Sequence, residues 1–320
     1  MSDAIESRSP RTGALPNVSG RGDPGYLFGV AMVTLAGGFW SIGGILVRWI
    51  ETADAWQIIF YRSLALALSL TLLVAVRHRG RLVAAFAGAG WNGVLAGTCL
   101  SGGFIGYVLA LHHTTVANAV FMLGTAPFFA AILGRWCLGE AVRPATWLAM
   151  AVALAGIALM VGGSLVLGTI AGSLLALIAS LSFAGFNVLL RRGRDTDMLP
   201  CVVIAGAIAA LIALPVVLGS HPDLASALIL SPRDLVLCLV MGAVQVGLGL
   251  TVFTLGARHV SAVELALLAM TELLLAPLWV WIGVGEVPSG WTLAGGAVVM
   301  AAIAFQALSG ARRRRVPPMV

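Results

Sequence analysis

Residues 106–161 read GYVLALHHTTVANAVFMLGTAPFFAAILGRWCLGEAVRPATWLAMAVALAGIALMV. A near-copy, LGARHVSAVELALLAMTELLLAPLWVWIGVGEVPSGWTLAGGAVVMAAIAF, occupies residues 255–305 and aligns with it at an offset of 146 without a gap. His113 meets His259, Thr125 meets Thr271, and Gly139-Glu140 meets Gly285-Glu286. Thr146, Ala151, Val152, Ala155, Ile157 and Ala158 meet Thr292, Ala297, Val298, Ala301, Ile303 and Ala304. Each copy is two long apolar runs joined by a short Gly-Glu turn. Matches held at one fixed offset mark an internal duplication, which has to be recognised before the fold is assigned.

Sixty per cent of the residues are apolar and only 10% are charged, and the apolar runs repeatedly reach the ~20 residues a helix needs to cross a bilayer. The runs are apolar all round rather than on one stripe, which excludes an ordinary soluble fold. Residues 1–25 are polar and rich in Gly, Pro and Ser, and read as a disordered cytoplasmic tail. They lack the charged start, apolar core and cleavage site of a signal peptide, so the first apolar run is expected to be a retained span. All 19 basic residues are Arg and fall mostly in short loops. That distribution carries topology rather than a phosphate-binding patch, and no nucleic-acid partner is expected. The four Cys, at 99, 137, 201 and 238, show no pairing or metal-ligand spacing and read as small hydrophobes.

Ten spans are expected, at about 26–47, 56–76, 91–111, 116–136, 145–161, 169–190, 199–218, 235–255, 262–282 and 291–308. If the N-terminal tail is cytoplasmic, Arg8, Arg11, Arg21, Arg77, Arg79, Arg81, Arg135, Arg143, Arg191, Arg192, Arg194, Arg258 and Arg312–Arg315 are inside. Only Arg48, Arg62 and Arg233 are left toward the outside. Arg retained on the cytoplasmic side sets orientation, so both termini are placed inside. Five spans per copy force the second copy to enter from the opposite face. The first helices of the halves also align, at an offset of 143, with Gly29, Ala36, Leu46 and Arg48 matching Gly172, Ala179, Leu189 and Arg191. Arg48 then falls outside and Arg191 inside, as inversion requires. The division is a tail 1–25, a first half 26–165, a second half 166–310, and a basic cytoplasmic tail 311–320.

Small residues at four-residue spacing, Gly93/Gly97, Gly102/Gly106, Ala151/Ala155 and Ala297/Ala301, read as faces where helix backbones approach closely. The equivalent Ala pairs point to the fifth and tenth spans as a brace of the bundle.

Glu272 falls near the middle of the ninth span, where a charged side chain costs several kcal/mol unless paired, hydrated or protonated. Two roles fit it: a substrate-contacting or proton-linked carboxylate, or a neutral carboxyl bonded to a neighbouring helix. Gln245 in the eighth span and Asn187 in the sixth need partners within the bundle, as interhelical bonds or as substrate contacts. Trp40 and Tyr107, in the outer parts of the first and third spans, offer faces to an aromatic or apolar substrate or act as interfacial anchors. Arg62 lies about two turns into the second span, where its side chain is expected to reach back to water or to Glu51 and Asp54. His112 and His113 have no carboxylate or Cys at ligand spacing, and no metal is expected. Glu140 and Glu286 read as loop and helix-end structure. Pro127 and Pro277 lie one turn apart in the aligned repeats and are expected to kink the fourth and ninth spans, and paired breaks in inverted repeats point to a central site of alternating access.

The run ALHHTTVANAVFMLGTAPFFAAILGRWCLGE, followed by a Gly- and Ala-rich helix, resembles the repeat unit of ten-helix transporters of the drug/metabolite transporter superfamily. In the second half, TELLLAPLWVWIGVGE resembles the matching Glu- and Pro-containing helix and Gly-Glu turn. The resemblance covers nearly the whole chain after residue 25. Leu273 departs from it, standing where the family often has Pro directly after the helix-centre Glu. The resemblance implies an all-α polytopic membrane protein of two inverted five-helix repeats around a central cavity, in a bacterial inner membrane. It also implies a secondary exporter of small amino acids, including aromatic ones, or related metabolites, with no bound cofactor. The lipid bilayer and a small-molecule substrate are the expected partners, and the oligomeric state stays open. No His-Glu-x-x-His motif suggests an intramembrane metalloenzyme, and no Walker loop suggests direct use of ATP.

Overall fold

The computed structural model describes residues 24–114, 116–161, 170–285, 287 and 289–313. The expected tail through residue 23, the chain from 314 onward and Glu286 lie outside them. Ten long helices are described, besides a short one at Leu224–Leu228: α1 (Pro24–Arg48), α2 (Ala55–Arg77), α3 (Leu82–His113), α4 (Val116–Leu123, continued by Ala126–Leu138) and α5 (Pro144–Val161). They are followed by α6 (Ile170–Arg192), α7 (Leu199–Ser220), α8 (Pro232–Ala257), α9 (Ala262–Ala269, continued by Thr271–Val284) and α10 (Gly290–Arg313). Nine have a stretch long and apolar enough to cross a membrane, and the apolar part of α5, Pro144–Met160, is slightly shorter. No strand occurs among the described residues.

Local chemistry sets the helix ends. Asp54 accepts from the Gln57 amide at 2.8 Å while the Gln57 side chain accepts from the Asp54 amide at 3.1 Å, a reciprocal cap on α2. Ser261 and Glu264 cap α9 in the same way, at 3.3 and 2.9 Å. α4 and α9 each end on a left-handed glycine, Gly139 with φ 67° and Gly285 with φ 76°, positions that a side chain would strain.

The helices pack as two five-helix halves with matching contacts. α1 packs on α8 as α6 packs on α3, and α9 packs on α1 as α4 packs on α6, while α2 pairs with α7 and α5 with α10. The repeats agree in detail. At Gly29 a side chain would meet His259 at 2.7 Å, and at the matching Gly172 it would meet His113 at 2.7 Å. Both helix crossings therefore need glycine. With five crossings in each half, the second half runs through the bilayer in the opposite sense to the first.

Small residues fill many interior positions, and many large apolar ones face outward, as expected where lipid surrounds the bundle. Ala36, Ala130, Ala179, Ala184 and Ala205 are fully buried, while Leu72, Val76, Trp91, Ile170 and Leu211 are each more than two-thirds exposed. The brace between α5 and α10 exists, but through a different face from the expected one. Gly156 lies against Gly295 and Val299, and Ala149, Ala153 and Ala302 are buried, whereas Ala151, Ala155, Ala297 and Ala301 are exposed. In runs this rich in small residues, four-residue spacing occurs on more than one face and does not by itself select the buried one. Gly97, Gly102 and Gly106 do lie at contacts, against α7 and α6.

Candidate substrate cavity

Four helices are interrupted where the halves meet. α4 breaks at Gly124-Thr125 and α9 at Met270, positions equivalent in the repeat, each through a tight turn in which the Thr125 amide bonds to Met122 and the Met270 amide to Leu267, both at 3.1 Å. Pro127 is the second residue of the α4 segment beyond the break. Pro277 lies well inside Thr271–Val284, seven residues past Met270, so the break of α9 does not fall at its proline. α1 is interrupted at Ile42, and α8 widens into a π-helical stretch at Met241–Leu248. Such stretches are frequent at functional sites.

These interruptions frame a cavity of about 260 Å³, below the ~300–1,000 Å³ typical of drug-sized ligands. Trp40, Tyr107, Gln245 and Glu272 all line it, together with Arg62. Asn187 does not; its side chain is fully buried, and neither amide atom has a hydrogen-bond partner among the described residues.

Each lining group is placed by a local feature. The break after Ser41 leaves the Trp40 carbonyl to accept from Gln245 Nε2 at 2.9 Å, and the π-helical stretch carries that amide. Ser41 Oγ donates to Gly38 at 2.7 Å and accepts from Trp279 Nε1 at 2.9 Å, which ties α1 to α9 beside the break. The Trp40 indole sits edge-on to Phe183, with centroids 6.2 Å apart, and 5.1 Å from Phe253, which stacks on Phe186. This aromatic wall comes from both halves. Tyr107 packs beside Ala110, Ala119 and Ala176.

Glu272 occupies the first turn of the second α9 segment. There the helix macrodipole favours a carboxylate, so the break helps the protein hold an acid deep in the membrane.

The sequence places Arg62 toward external water, but the fold does not. Its guanidinium lies over the Phe104 ring, 5.4 Å from the centroid, and faces the cavity. The expected partners are engaged elsewhere: Glu51 pairs with Arg233, and Asp54 caps α2 and contacts His221 at 3.4 Å. Arg62 and Glu272 thus share one cavity, and neither forms an ion pair with a described residue.

A second polar cluster joins residues at the ends of α1, α4, α5, α6, α9 and α10. Glu264 Oε1 accepts from Tyr26 at 3.2 Å, Gln306 at 3.2 Å and Arg143 at 3.4 Å. Beside it Glu140 accepts from Arg191 at 3.1 Å and from the Ala262 amide at 3.4 Å, so the first Gly-Glu turn binds the second half. Glu264 carries a readable signal in Ser261-Ala-Val-Glu264, a helix-start pattern whose carboxylate has capacity left after capping. The four Cys are free thiols, and no cluster of metal-ligating side chains occurs among the described residues.

Apolar helices packed as two matching halves, with a partly charged cavity between them, define a polytopic membrane protein of transporter type. The chain belongs to the EamA-like transporter family, part of the drug/metabolite transporter superfamily, whose model matches residues 27–162 and again 170–308. It is 27% identical over 282 residues to a protein described as pseudopaline exporter CntI from Pseudomonas aeruginosa, covering 86% of this chain and 94% of that one. It is also 27% identical over 160 residues to protein LicB of Haemophilus influenzae, covering 46% and 51% of the two chains. One solved crystal structure superposes with a TM-score of 0.73 at 17% identity, over 89% of this chain and 98% of that one, a likeness of fold.

Proposed function

We propose that the protein is a secondary exporter of small amino acids or related metabolites, working by alternating access between the halves 26–165 and 166–310. The cavity carries this reading: Trp40, Tyr107, Gln245 and Glu272, with Arg62, face one space of amino-acid size at the junction of two matched halves. Paired interruptions in equivalent helices are where such halves can flex around a fixed site. In proteoliposomes, at least one neutral or aromatic amino acid should accumulate down its gradient without ATP. If none moves while a nucleoside or drug cation does, the amino-acid assignment is wrong and the transporter assignment stands.

The second reading, export of another small metabolite, is favoured by the similarity to the protein named as a pseudopaline exporter. The same panel separates the two when it includes non-amino-acid metabolites.

We place the protein in the bacterial inner membrane, on its family resemblance, with both termini cytoplasmic, on the distribution of Arg. Arg79 and Asp223 are both exposed, which makes them accessible reporters. Single Cys residues at these positions, in a background without native Cys, should react with an impermeant reagent on intact cells only at 223. Labelling at 79 would reverse the orientation.

A further inference from the structure

We propose that Arg62 and Glu272 recognise opposite ends of a zwitterion, Arg62 binding its carboxylate and Glu272 its ammonium group. The proposal rests on reading the cavity as the substrate site. It adds a charge pattern that the substrate must carry.

Arg62 and Glu272 line the same largely apolar cavity, where an unmatched charge is costly. The two charges attract each other across the cavity but make no direct ion pair, and neither is in ion-pair contact with another described residue, which leaves the hydrogen-bonding capacity of both open to a ligand between them. A ligand that supplies both counter-charges satisfies both groups together. A cationic ligand would face Arg62, and an anionic ligand would face Glu272, so each single charge meets one attraction and one repulsion. Arg62 is suited to the carboxylate because its planar fork can donate two parallel hydrogen bonds, and the Phe104 ring beneath supports that plane. The aromatic wall of Trp40 and Phe183 leaves room for an apolar side chain beside the charged ends.

Arg62 belongs to α2 of the first half and Glu272 to α9 of the second. A zwitterion spanning them bridges the halves, whereas a ligand with one charge engages one half only. Differential contact of this kind lets a substrate bias the equilibrium between two arrangements.

The test uses the purified full-length protein in lipid nanodiscs and three probes of similar shape: L-phenylalanine, L-phenylalaninamide and 3-phenylpropionate. The wild type should bind the amino acid at least about tenfold more tightly than either analogue. In Arg62→Gln, the preference for L-phenylalanine over the amide should be lost, because the carboxylate loses its partner while the cationic amide is freed of the repelling guanidinium. In Glu272→Gln, the preference for L-phenylalanine over 3-phenylpropionate should be lost, because the ammonium group loses its partner while the anion is freed of the repelling carboxylate. Should Arg62→Gln fail to fold, Arg62→Lys retains the charge without the fork and should keep a reduced preference for acid over amide. Equal binding of all three probes by the wild type would overturn the proposal. So would variants that weaken all three alike. If L-phenylalanine and other amino acids are transported without this charge discrimination, only the pairing is wrong. If no amino acid binds or moves, the amino-acid assignment falls with it.

Discussion

Glu272→Gln should insert and fold like the parent, yet transport at least about tenfold more slowly per folded molecule. The substitution keeps size and hydrogen-bonding capacity and removes the charge. A hydrogen bond to a charged group contributes ~1.5–3 kcal/mol, which corresponds to about ten- to a hundredfold in binding. Because Glu272 faces the cavity and sits in the first turn of a helix segment, its loss acts on the ligand and not on a packed partner. Glu272→Leu should differ in kind: it sets an apolar group beside Arg62, and transport should be lost whatever the yield. Transport and folded yield are measured together, by proteoliposome flux normalised to monodisperse protein. Near-parental flux by Glu272→Gln between about pH 5 and 8 would remove the residue from the mechanism, leaving Gln245 and Arg62 as the polar anchors.

Much of the architecture is readable from residues alone, because the duplication and the membrane solvent both leave strong marks. The repeat aligns Gly139 with Gly285, and both adopt the same left-handed cap. It aligns Gly29 with Gly172, and both sit under the same kind of helix crossing. The cavity was partly legible too, since four polar or aromatic residues singled out by their cost or chemistry line it.

The exceptions have physical causes. Proline removes one hydrogen bond wherever it stands, but the interruption of α9 falls at Met270, equivalent in the repeat to Gly124, rather than at Pro277. Arg62 had two routes for a long side chain, outward to water or inward over an aromatic ring. Local sequence cannot choose between them, because Phe104 lies on another helix and Glu51 is claimed by Arg233. Asn187 was singled out on polarity, and polarity does not distinguish a cavity wall from a buried helix interface.

Asp234→Ala should be among the most destabilising single changes outside the cavity, lowering stability by about 2–3 kcal/mol. Asp234 is fully buried in the first turn of α8 and serves as acceptor for the loop joining α1 to α2. Its Oδ1 takes the Glu51 amide at 3.1 Å. Its Oδ2 takes the amides of Thr52 at 2.9 Å and Ala53 at 3.2 Å, together with the Thr52 hydroxyl. Removing the carboxylate leaves these donors to be met by water at a site that is only partly accessible, and frees a loop that fixes how the first half meets the second. Asp234→Asn keeps one acceptor oxygen but turns an amide donor toward another donor, so its cost should lie between those of Ala and wild type. Thr52→Val, which deletes only the hydroxyl, should cost least, about 1 kcal/mol. The order is read from thermal unfolding of the purified protein. Because the cluster is separate from Arg62 and Glu272, flux per folded molecule should stay near that of the parent in all three variants. A variant in this series that folds stably but does not transport would show that the α1–α2 loop takes part in the transport cycle, beyond holding the halves together.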